Sequence, residues 1–131
     1  MNYMLDTDTL IYFLKGNESV VKSFAKTPLE LLHTSIINHA ELHFGAHNSA
    51  HKKNNLDLIE RFLKKMTLLP FCQKSSCIFA EQKAILKKKG QIIADMDLMI
   101  ASISVANHMT LVTNNVRHFD RIKDLKIANW T

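Results

Sequence analysis

Residues 3–12, YMLDTDTLIY, place a short apolar run directly before two aspartates. The run Tyr3–Leu5 is apolar enough to predict a buried strand that ends at Asp6. A carboxylate at the tip of a buried strand costs free energy unless a positive charge lies beside it. Residues 1–9 contain no lysine or arginine. This stretch therefore predicts that a cation from elsewhere reaches Asp6.

The rest of the chain alternates short apolar runs with helical patterns. Thr7 or Asp8 can cap a first helix that ends at Leu14. Further strands are predicted within 29–35, 67–71, 109–113 and 125–130. Helices are predicted over 17–26, 36–48, 55–66, 72–89 and 95–108, with a turn and a short helix over 114–122. Strands that alternate with helices predict a parallel α/β sheet covered on both sides.

Length and composition bound the class of protein. The 131 residues are 47% apolar and 22% charged, which predicts one domain over 1–131 with its own core. No apolar stretch reaches the roughly 18 residues of a membrane span, and Asp6 and Asp8 interrupt the place where a signal peptide would be apolar. We therefore expect a cytoplasmic protein with no membrane partner.

Charge and cysteine content add two weaker expectations. The net charge of +5 favours a polyanionic partner such as nucleic acid. Cys72 and Cys77 are too few to form a zinc quartet and are predicted to be half-buried thiols in a reducing compartment.

Acidic and amide side chains follow or face the ends of the predicted strands. Asp6 ends the first strand, and Asn115 follows the fourth. Glu41 is predicted to face inward, because apolar residues lie on nearly the same side of its helix. Asp95 and Asp97 open an apolar helix, and Asp95 is predicted to cap it at Met96. Because ligands of parallel sheets bind beyond the carboxyl ends of the strands, we expect these residues to line one cleft.

Carboxylates gathered in one cleft repel one another unless a cation neutralises them. Two carboxylates ~4 Å apart repel by about 4 kcal/mol at an effective dielectric constant near 20. The segments that carry the acids, residues 1–9, 38–42 and 92–101, contain no basic residue except His39. A divalent cation is therefore a better explanation than ion pairing. Oxygen ligands suit Mg²⁺ or Mn²⁺, and such an ion in a basic protein points to phosphodiester chemistry.

Four motifs in register resemble one family of nucleases. YMLDTDTLIYFLKG, SIINHAEL followed by FG, GQIIADMDLMIASISVANHMTLVTNNVRHFDRI and LKIANW are similar to PIN-domain ribonucleases of the VapC toxin type, from Tyr3 to Trp130. The resemblance implies a three-layer α/β/α sandwich around a mostly parallel sheet of about five strands. It also implies a Mg²⁺- or Mn²⁺-dependent endoribonuclease that is the toxin of a type II toxin–antitoxin pair, with transfer RNA as one candidate substrate. An antitoxin partner, a homodimer and a higher assembly with the antitoxin are implied as well.

The same resemblance assigns the site residues. The LDT motif matches the first acid of the family to Asp6, and the AEL motif matches the second to Glu41. The acid directly before LMIA is Asp97, which selects it over Asp95. The fourth position, often aspartate in the family, falls on the asparagine pair after the fourth strand, where Asn115 is preferred. The resemblance thus implies that the first three acids are metal ligands and that all four residues are catalytic.

Supporting roles fall on neighbouring polar residues. Thr7, Thr113 and Asn115 are expected to orient ligands or water. Arg117 and Arg121 are candidates for binding the flanking phosphates.

The antitoxin groove is expected to involve exposed apolar residues of the early helices, with residues 11–13 as candidates. A core role is nevertheless favoured for Ile11 and Leu14.

Histidines recur at every fourth position, at His39, His43, His47 and His51. On a helix this line lies roughly opposite Glu41, so it is not expected to join the acids. The favoured interpretation is histidines that face solvent or a partner, and the alternative is adventitious binding of zinc or nickel.

Two other functions stay open from the sequence. A phosphatase of the haloacid dehalogenase type also begins with a strand that ends in D-x-D, but Leu10 stands where that family has threonine or valine. A PIN-like module that binds RNA or a partner without cleaving is the second alternative, and the presence of all three principal acids counts against it.

Overall fold

The five strands form one parallel sheet, with the first strand at its centre. In the computed structural model, which describes residues 1–131, the strands are β1 (Tyr3–Leu5), β2 (Leu32–Ser35), β3 (Thr67–Leu69), β4 (Thr110–Val112) and β5 (Lys126–Ala128). Their order across the sheet is β3-β2-β1-β4-β5, and every pairing is parallel. The predicted parallel sheet of about five strands is confirmed.

Seven helices connect and cover the strands. They are α1 (Thr7–Leu14), α2 (Glu18–Lys26), α3 (Ile36–His47), α4 (Lys52–Leu63), α5 (Gln73–Lys88), α6 (Asp95–Ala106) and α7 (Val116–Phe119). None of them combines the length and the apolar character that crossing a membrane would require.

The alternation of side chains along the strands divides the core between the two faces of the sheet. Met4 and Leu111 pack with residues of α5 and α6, whereas Leu5 and Val112 pack with residues of α1, α3 and α4. Met4 and Leu5 are fully buried, as expected for a central parallel strand covered on both faces. Helices therefore cover both faces, and the three-layer α/β/α sandwich is confirmed.

Only the second half of the strand predicted over 29–35 is extended. Leu29–Leu31 form a 3₁₀ turn in which the Leu31 amide donates to the carbonyl oxygen of Pro28 at 3.0 Å. Pro28 has a fixed φ and no amide hydrogen, which favours a turn over a strand at this point. As a result β2 begins only at Leu32, which is buried.

The starts of two helices also differ from the prediction. Asp6, rather than Thr7 or Asp8, is the N-cap of α1, because its side chain accepts from the Thr7 amide. Asp95 is the first residue of α6 rather than its cap, and it forms an ion pair with Lys83 at 2.9 Å. An acid in the first turn stabilises a helix through the helix dipole without capping it.

The prediction of half-buried thiols is wrong, because both cysteines are exposed. The buried residues of α5 are Ser75, Gln82 and Leu86, which share one face of the helix. Cys77 lies off that face, and Cys72 precedes the helix. The polar side chains of Ser75 and Gln82 are thus buried, although a hydrophobicity pattern predicts burial of the thiols instead.

The strand order brings separate chain segments to one edge of the sheet. β2 flanks β1 on one side and β4 flanks it on the other, so this edge is a topological switch point. Between β2 and β1, the Thr34 hydroxyl donates to the carbonyl oxygen of Leu5 at 2.9 Å. Between the end of β1 and β4, the Asp6 amide donates to the carbonyl oxygen of Val112 at 2.9 Å. Residues that follow β1, β2 and β4 are therefore neighbours.

Candidate active site

Asp6 is nearly buried at the centre of this edge, with 6% of its surface exposed. Its Oδ1 accepts from the Thr7 amide at 2.9 Å and from Asn38 Nδ2 at 3.3 Å. Its Oδ2 accepts from the Thr113 hydroxyl at 2.8 Å. All three donors are neutral, and no lysine, arginine or histidine forms an ion pair with Asp6. The carboxylate is hydrogen-bonded, but its charge is not compensated.

Burial raises the pKa of Asp6 from 3.8 to about 7. The negative charge of Asp8 is the next cause, and Asp97 adds a smaller one. The hydrogen bonds from Thr113 and Thr7 act in the opposite direction. Near neutral pH the carboxyl group is therefore poised between its protonated and ionised forms, and a cation would favour the ionised form.

Glu41 reaches the same edge from α3 and is linked to the buried carboxylate through a short chain of hydrogen bonds. The Thr7 hydroxyl donates to Glu41 Oε1 at 2.6 Å, and Asn38 Nδ2 lies 2.9 Å from Thr7 Oγ1. Burial raises the pKa of Glu41, the hydrogen bond from Thr7 lowers it, and the negative charges of Asp97 and Asp8 raise it.

Asn38 is oriented by the start of its own helix. Its Oδ1 accepts from the Ser35 hydroxyl at 2.6 Å and from the Ser35 amide at 3.2 Å, as half of a capping box. With the oxygen held there, Nδ2 points at Asp6 and Thr7. Asn38 is a site residue that the sequence analysis missed. Its signal is the S-x-x-N pattern directly before an apolar helix.

Asp97 joins the site from the first turn of α6 and faces His118 of α7. His118 Nε2 lies 3.0 Å from Asp97 Oδ2 but off the direction of a hydrogen bond, and this buried nitrogen has no hydrogen-bond partner. The side chains are 29% exposed for Asp97 and 24% exposed for His118. No sequence pattern singles out His118, because its position depends on how α7 packs beside α6.

Asp8 and Asn115 hold the turn after β4. Asp8 Oδ2 accepts from the Asn114 amide at 3.0 Å, so this extra acid fixes the turn instead of capping α1. Asn115 is exposed, and its amide donates to Thr113 Oγ1 at 3.1 Å. The Asn115 side chain lies outside the hydrogen-bond network of the three acids.

The three acids fit a hard divalent cation. The pKa values of Asp6 and Glu41 both respond to the charge of Asp97, so the three carboxylates lie within electrostatic reach of one another. Their oxygens are not all within 4.8 Å of one another, and a shared cation would draw them closer. Their one basic neighbour at ion-pair distance is His118, beside Asp97. A set of oxygen donors with so little compensation suits Mg²⁺ or Mn²⁺.

Two arginines follow the turn at this edge. Arg117 lies on α7 directly before His118 and is exposed. Arg121 is also exposed, and its Nη1 donates to the carbonyl oxygen of Ile92 at 3.5 Å. Neither arginine pairs with an acid, so both guanidinium groups can bind an external anion.

The chain is similar to known proteins over nearly its whole length. The PIN domain family matches residues 3–125. Ribonuclease VapC2 of Haemophilus influenzae is 35% identical over 130 residues, which cover 99% of this chain and 98% of that protein. The tRNA(fMet)-specific endonuclease VapC of Salmonella typhimurium is 28% identical, with 99% and 98% covered. A chain of the crystal structure of VapBC2 from Rickettsia felis, bound to a DNA fragment from their promoter, matches with a TM-score of 0.91 at 33% identity over 100% of both chains.

The similar proteins agree with this chain in both fold and sequence. The solved structure shares the fold, and the relative from Haemophilus influenzae shares about a third of the sequence without a large insertion or deletion at either end. The first three motifs that carry the resemblance supply the residues after β1, β2 and β4 that meet at the carboxyl ends of the strands. The chain belongs to the PIN domain family and, within it, to the VapC ribonucleases.

Proposed function

We propose that this chain is a Mg²⁺- or Mn²⁺-dependent endoribonuclease that acts as the toxin of a type II toxin–antitoxin pair. The observation that carries the proposal is the buried, uncompensated carboxylate of Asp6, with Glu41 and Asp97 within electrostatic reach. Membership of the VapC ribonucleases supports the same activity.

Asp6 and Asp97 would hold the ion directly, and Glu41 would hold it or a water molecule beside it. When bound, such an ion polarises the phosphate and lowers the pKa of a water molecule. Attack by water in line with the leaving oxygen is expected to yield a 5′-phosphate and a 3′-hydroxyl.

The surrounding side chains fix the positions of the carboxylates. Thr113 and Asn38 hold the two oxygens of Asp6, and Thr7 holds Glu41. Because these donors are neutral, they orient the oxygens without cancelling the charge that attracts a cation. His118 Nε2, which lies 3.0 Å from Asp97 Oδ2, is the one basic group at ion-pair distance from the three acids.

Transfer RNA is the substrate class that we propose. The relative from Salmonella typhimurium is named as a tRNA(fMet)-specific endonuclease, and this chain carries a net charge of +5. Arg117 and Arg121 would contact the phosphate backbone, which adds affinity without reading sequence. Mapping new 5′ ends in total RNA after brief expression of the protein identifies the molecule that is cut.

The two alternative functions are a phosphatase and a PIN module without nuclease activity. The phosphatase interpretation is wrong, because the PIN domain family matches residues 3–125 and the chain is 35% identical to a VapC ribonuclease over nearly its whole length. A PIN module that binds RNA without cutting it is the alternative that the next experiment separates from a nuclease.

Removal of divalent metal is expected to stop cleavage of bulk tRNA by the purified protein. EDTA should remove the cation that offsets the charges of the three acids, and adding Mn²⁺ or Mg²⁺ in excess should restore cleavage. The rate is measured from gels of end-labelled tRNA, and circular dichroism checks that the fold survives EDTA. Cleavage that continues in excess EDTA contradicts metal dependence, whereas no cleavage with any metal favours the binding module.

We propose that an apolar groove beside the acids receives the antitoxin. The groove has a volume of about 430 Å³ and is lined by residues of α1, α3 and α4, with Glu41 in its wall. Its apolar lining residues are Ile11, Leu14, Leu42, Ala46, Leu58 and Ile59. Ile11 and Leu14 thus line a surface groove, and the core role favoured for them is wrong. The solved structure from Rickettsia felis is a VapBC complex, which supports an antitoxin partner.

Replacing Leu58 by aspartate is expected to weaken antitoxin binding by about 100-fold while tRNA cleavage persists. The side chain of Leu58 is 41% exposed in the groove, so the fold should tolerate a charge that a buried apolar contact would not. Binding to the protein encoded beside this chain is measured by calorimetry. Ile92→Asp, at a 71% exposed residue outside the groove, is the control. Equal affinity of both variants would place the antitoxin elsewhere.

The homodimer, a higher assembly with the antitoxin and the cytoplasmic location stay predictions.

A further inference from the structure

We propose a second metal site, for Zn²⁺, formed by His39, His43 and Glu60 between α3 and α4. The ligand atoms of these three side chains all lie within 4.8 Å of one another, and no other three histidine, cysteine or acidic residues of the chain meet in this way. His39 and His43 are one helical turn apart on α3, and Glu60 faces them from α4. None of the three contacts the acids at the edge of the sheet.

The histidine line predicted from the sequence divides into two halves. The imidazole rings of His39 and His43 stack with their centroids 3.9 Å apart. His47 is exposed in the last turn of α3, and His51 lies beyond the end of that helix. Only His39 and His43 therefore face the same carboxylate, which is that of Glu60.

His43 is oriented as a metal ligand would be. Its Nδ1 donates to the carbonyl oxygen of His39 at 2.8 Å, which leaves Nε2 to bind on the other side of the ring. That Nε2 lies 2.5 Å from Glu60 Oε1, so the two atoms already face each other across the position that an ion would take. His39 Nε2 lies 3.9 Å from the same carboxylate oxygen.

The spacings match zinc with small movements. Ligand atoms about 2.0–2.1 Å from a tetrahedral Zn²⁺ are about 3.3 Å from one another. The distances of 2.5 Å and 3.9 Å to Glu60 Oε1 lie on either side of that value. Zn²⁺ would bind between His43 and Glu60 with His39 as the third ligand, and a water molecule would complete the fourth position.

The chemistry of the donors separates this site from the acidic one. Two imidazole nitrogens and one carboxylate suit Zn²⁺, whereas Mg²⁺ prefers an octahedral shell of oxygens. The side chains are half-exposed, at 33% for His39, 20% for His43 and 53% for Glu60, so the ion can reach them from solvent. Once bound, it would join α3 to α4, two walls of the groove beside Glu41.

The test measures Zn²⁺ affinity by competition with a chromophoric chelator, on protein without an affinity tag and in excess Mg²⁺. The unmodified protein and Asp97→Asn are both expected to bind one Zn²⁺ tightly, because Asp97 belongs to the acidic site. His39→Gln leaves the contact between His43 and Glu60 in place and removes a ligand. It should weaken binding at least about tenfold, the smallest cost of losing even an outer partner of a metal.

His47→Gln, on the same helix but outside the cluster, is the matched control and should bind like the unmodified protein. Glu60→Gln, at an exposed position, repeats the ligand test in case His39→Gln does not fold. Thermal unfolding with and without Zn²⁺ should show a rise in Tm for the same variants that bind. Absence of tight binding by the unmodified protein, or undiminished binding by both ligand variants, overturns the site. Neither result touches the nuclease proposal, whose readout is cleavage of RNA with Mg²⁺ or Mn²⁺.

Discussion

Asp97→Asn should lower the rate of tRNA cleavage by at least about 1,000-fold, because a bound metal ion contributes several kcal/mol to phosphodiester hydrolysis. Asparagine keeps the shape of the side chain but removes the negative charge that raises the pKa of Asp6 and of Glu41 and that would attract the ion. The fold should persist, since Asp97 is partly exposed in the first turn of α6 and caps nothing. Cleavage of labelled tRNA in Mn²⁺ measures the rate, and circular dichroism measures the fold.

Asp95→Asn is the matched control, two residues earlier in the same helix turn. Asp95 pairs with Lys83 at the surface and is not linked to the acidic site, so its replacement should leave the rate within about twofold. Full activity of Asp97→Asn, or equal losses in both variants, would contradict the assignment of Asp97.

Asp6→Asn should have opposite effects on activity and stability. Cleavage is expected to disappear, as for Asp97→Asn. In EDTA at pH 8, however, the free energy of unfolding should rise by roughly 2–4 kcal/mol, because a buried charge with no counterion is removed. Asparagine is also a good N-cap, so α1 should keep its start. Urea unfolding of both proteins measures the difference.

The gain in stability should depend on pH in a definite direction. The pKa of Asp6 is about 7 in the folded protein against 3.8 in the unfolded chain, so the folded state holds the proton more tightly. Stability that Asp6 contributes in its protonated form is therefore lost as pH rises from about 4 to about 7. The advantage of Asp6→Asn should be largest at pH 8 and should shrink towards pH 4.

Two comparisons decide this prediction. Asp57→Asn, at an exposed aspartate of α4, should change stability little at any pH. Addition of Mg²⁺ should stabilise the unmodified protein more than Asp6→Asn, because the ion binds the folded form through this carboxylate. If Asp6→Asn is less stable than the unmodified protein at pH 8 in EDTA, the charge of the Asp6 carboxylate is compensated in solution and the prediction is wrong.

The sheet could be predicted from the sequence because its strands are short apolar runs in a regular alternation with helices. Asp6 could be predicted to lie at a strand end, since the run before it is apolar and nothing basic accompanies it. Glu41 could be predicted to face inward from the side of its helix, and the choice of Asp97 over Asp95 needed the family resemblance. These predictions depend on neighbours within a turn or on a known motif.

What could not be predicted depends on packing between distant segments. Asn38 holds Asp6 only because Ser35 fixes its amide at the end of β2. His118 meets Asp97 only because α7 lies beside α6.

The pairing of His43 with Glu60 likewise joins residues from two different helices. No local pattern encodes these distances, so the sequence predicted the acids and the threonines beside them but not Asn38 or His118.

The central strand, β1, is synthesised first, but its neighbour β4 is synthesised near the end of the chain. Until β4 has left the ribosome, one edge of β1 has no hydrogen-bonding partner, and Thr113 is not yet present to hold Asp6. At about 5–20 residues per second, translation from Asp6 to Thr113 takes roughly 5–20 s. A nascent or prematurely terminated chain that lacks β4 would therefore lack an assembled acidic site, and the proposed cleavage of RNA would begin only when nearly all of the protein has been made.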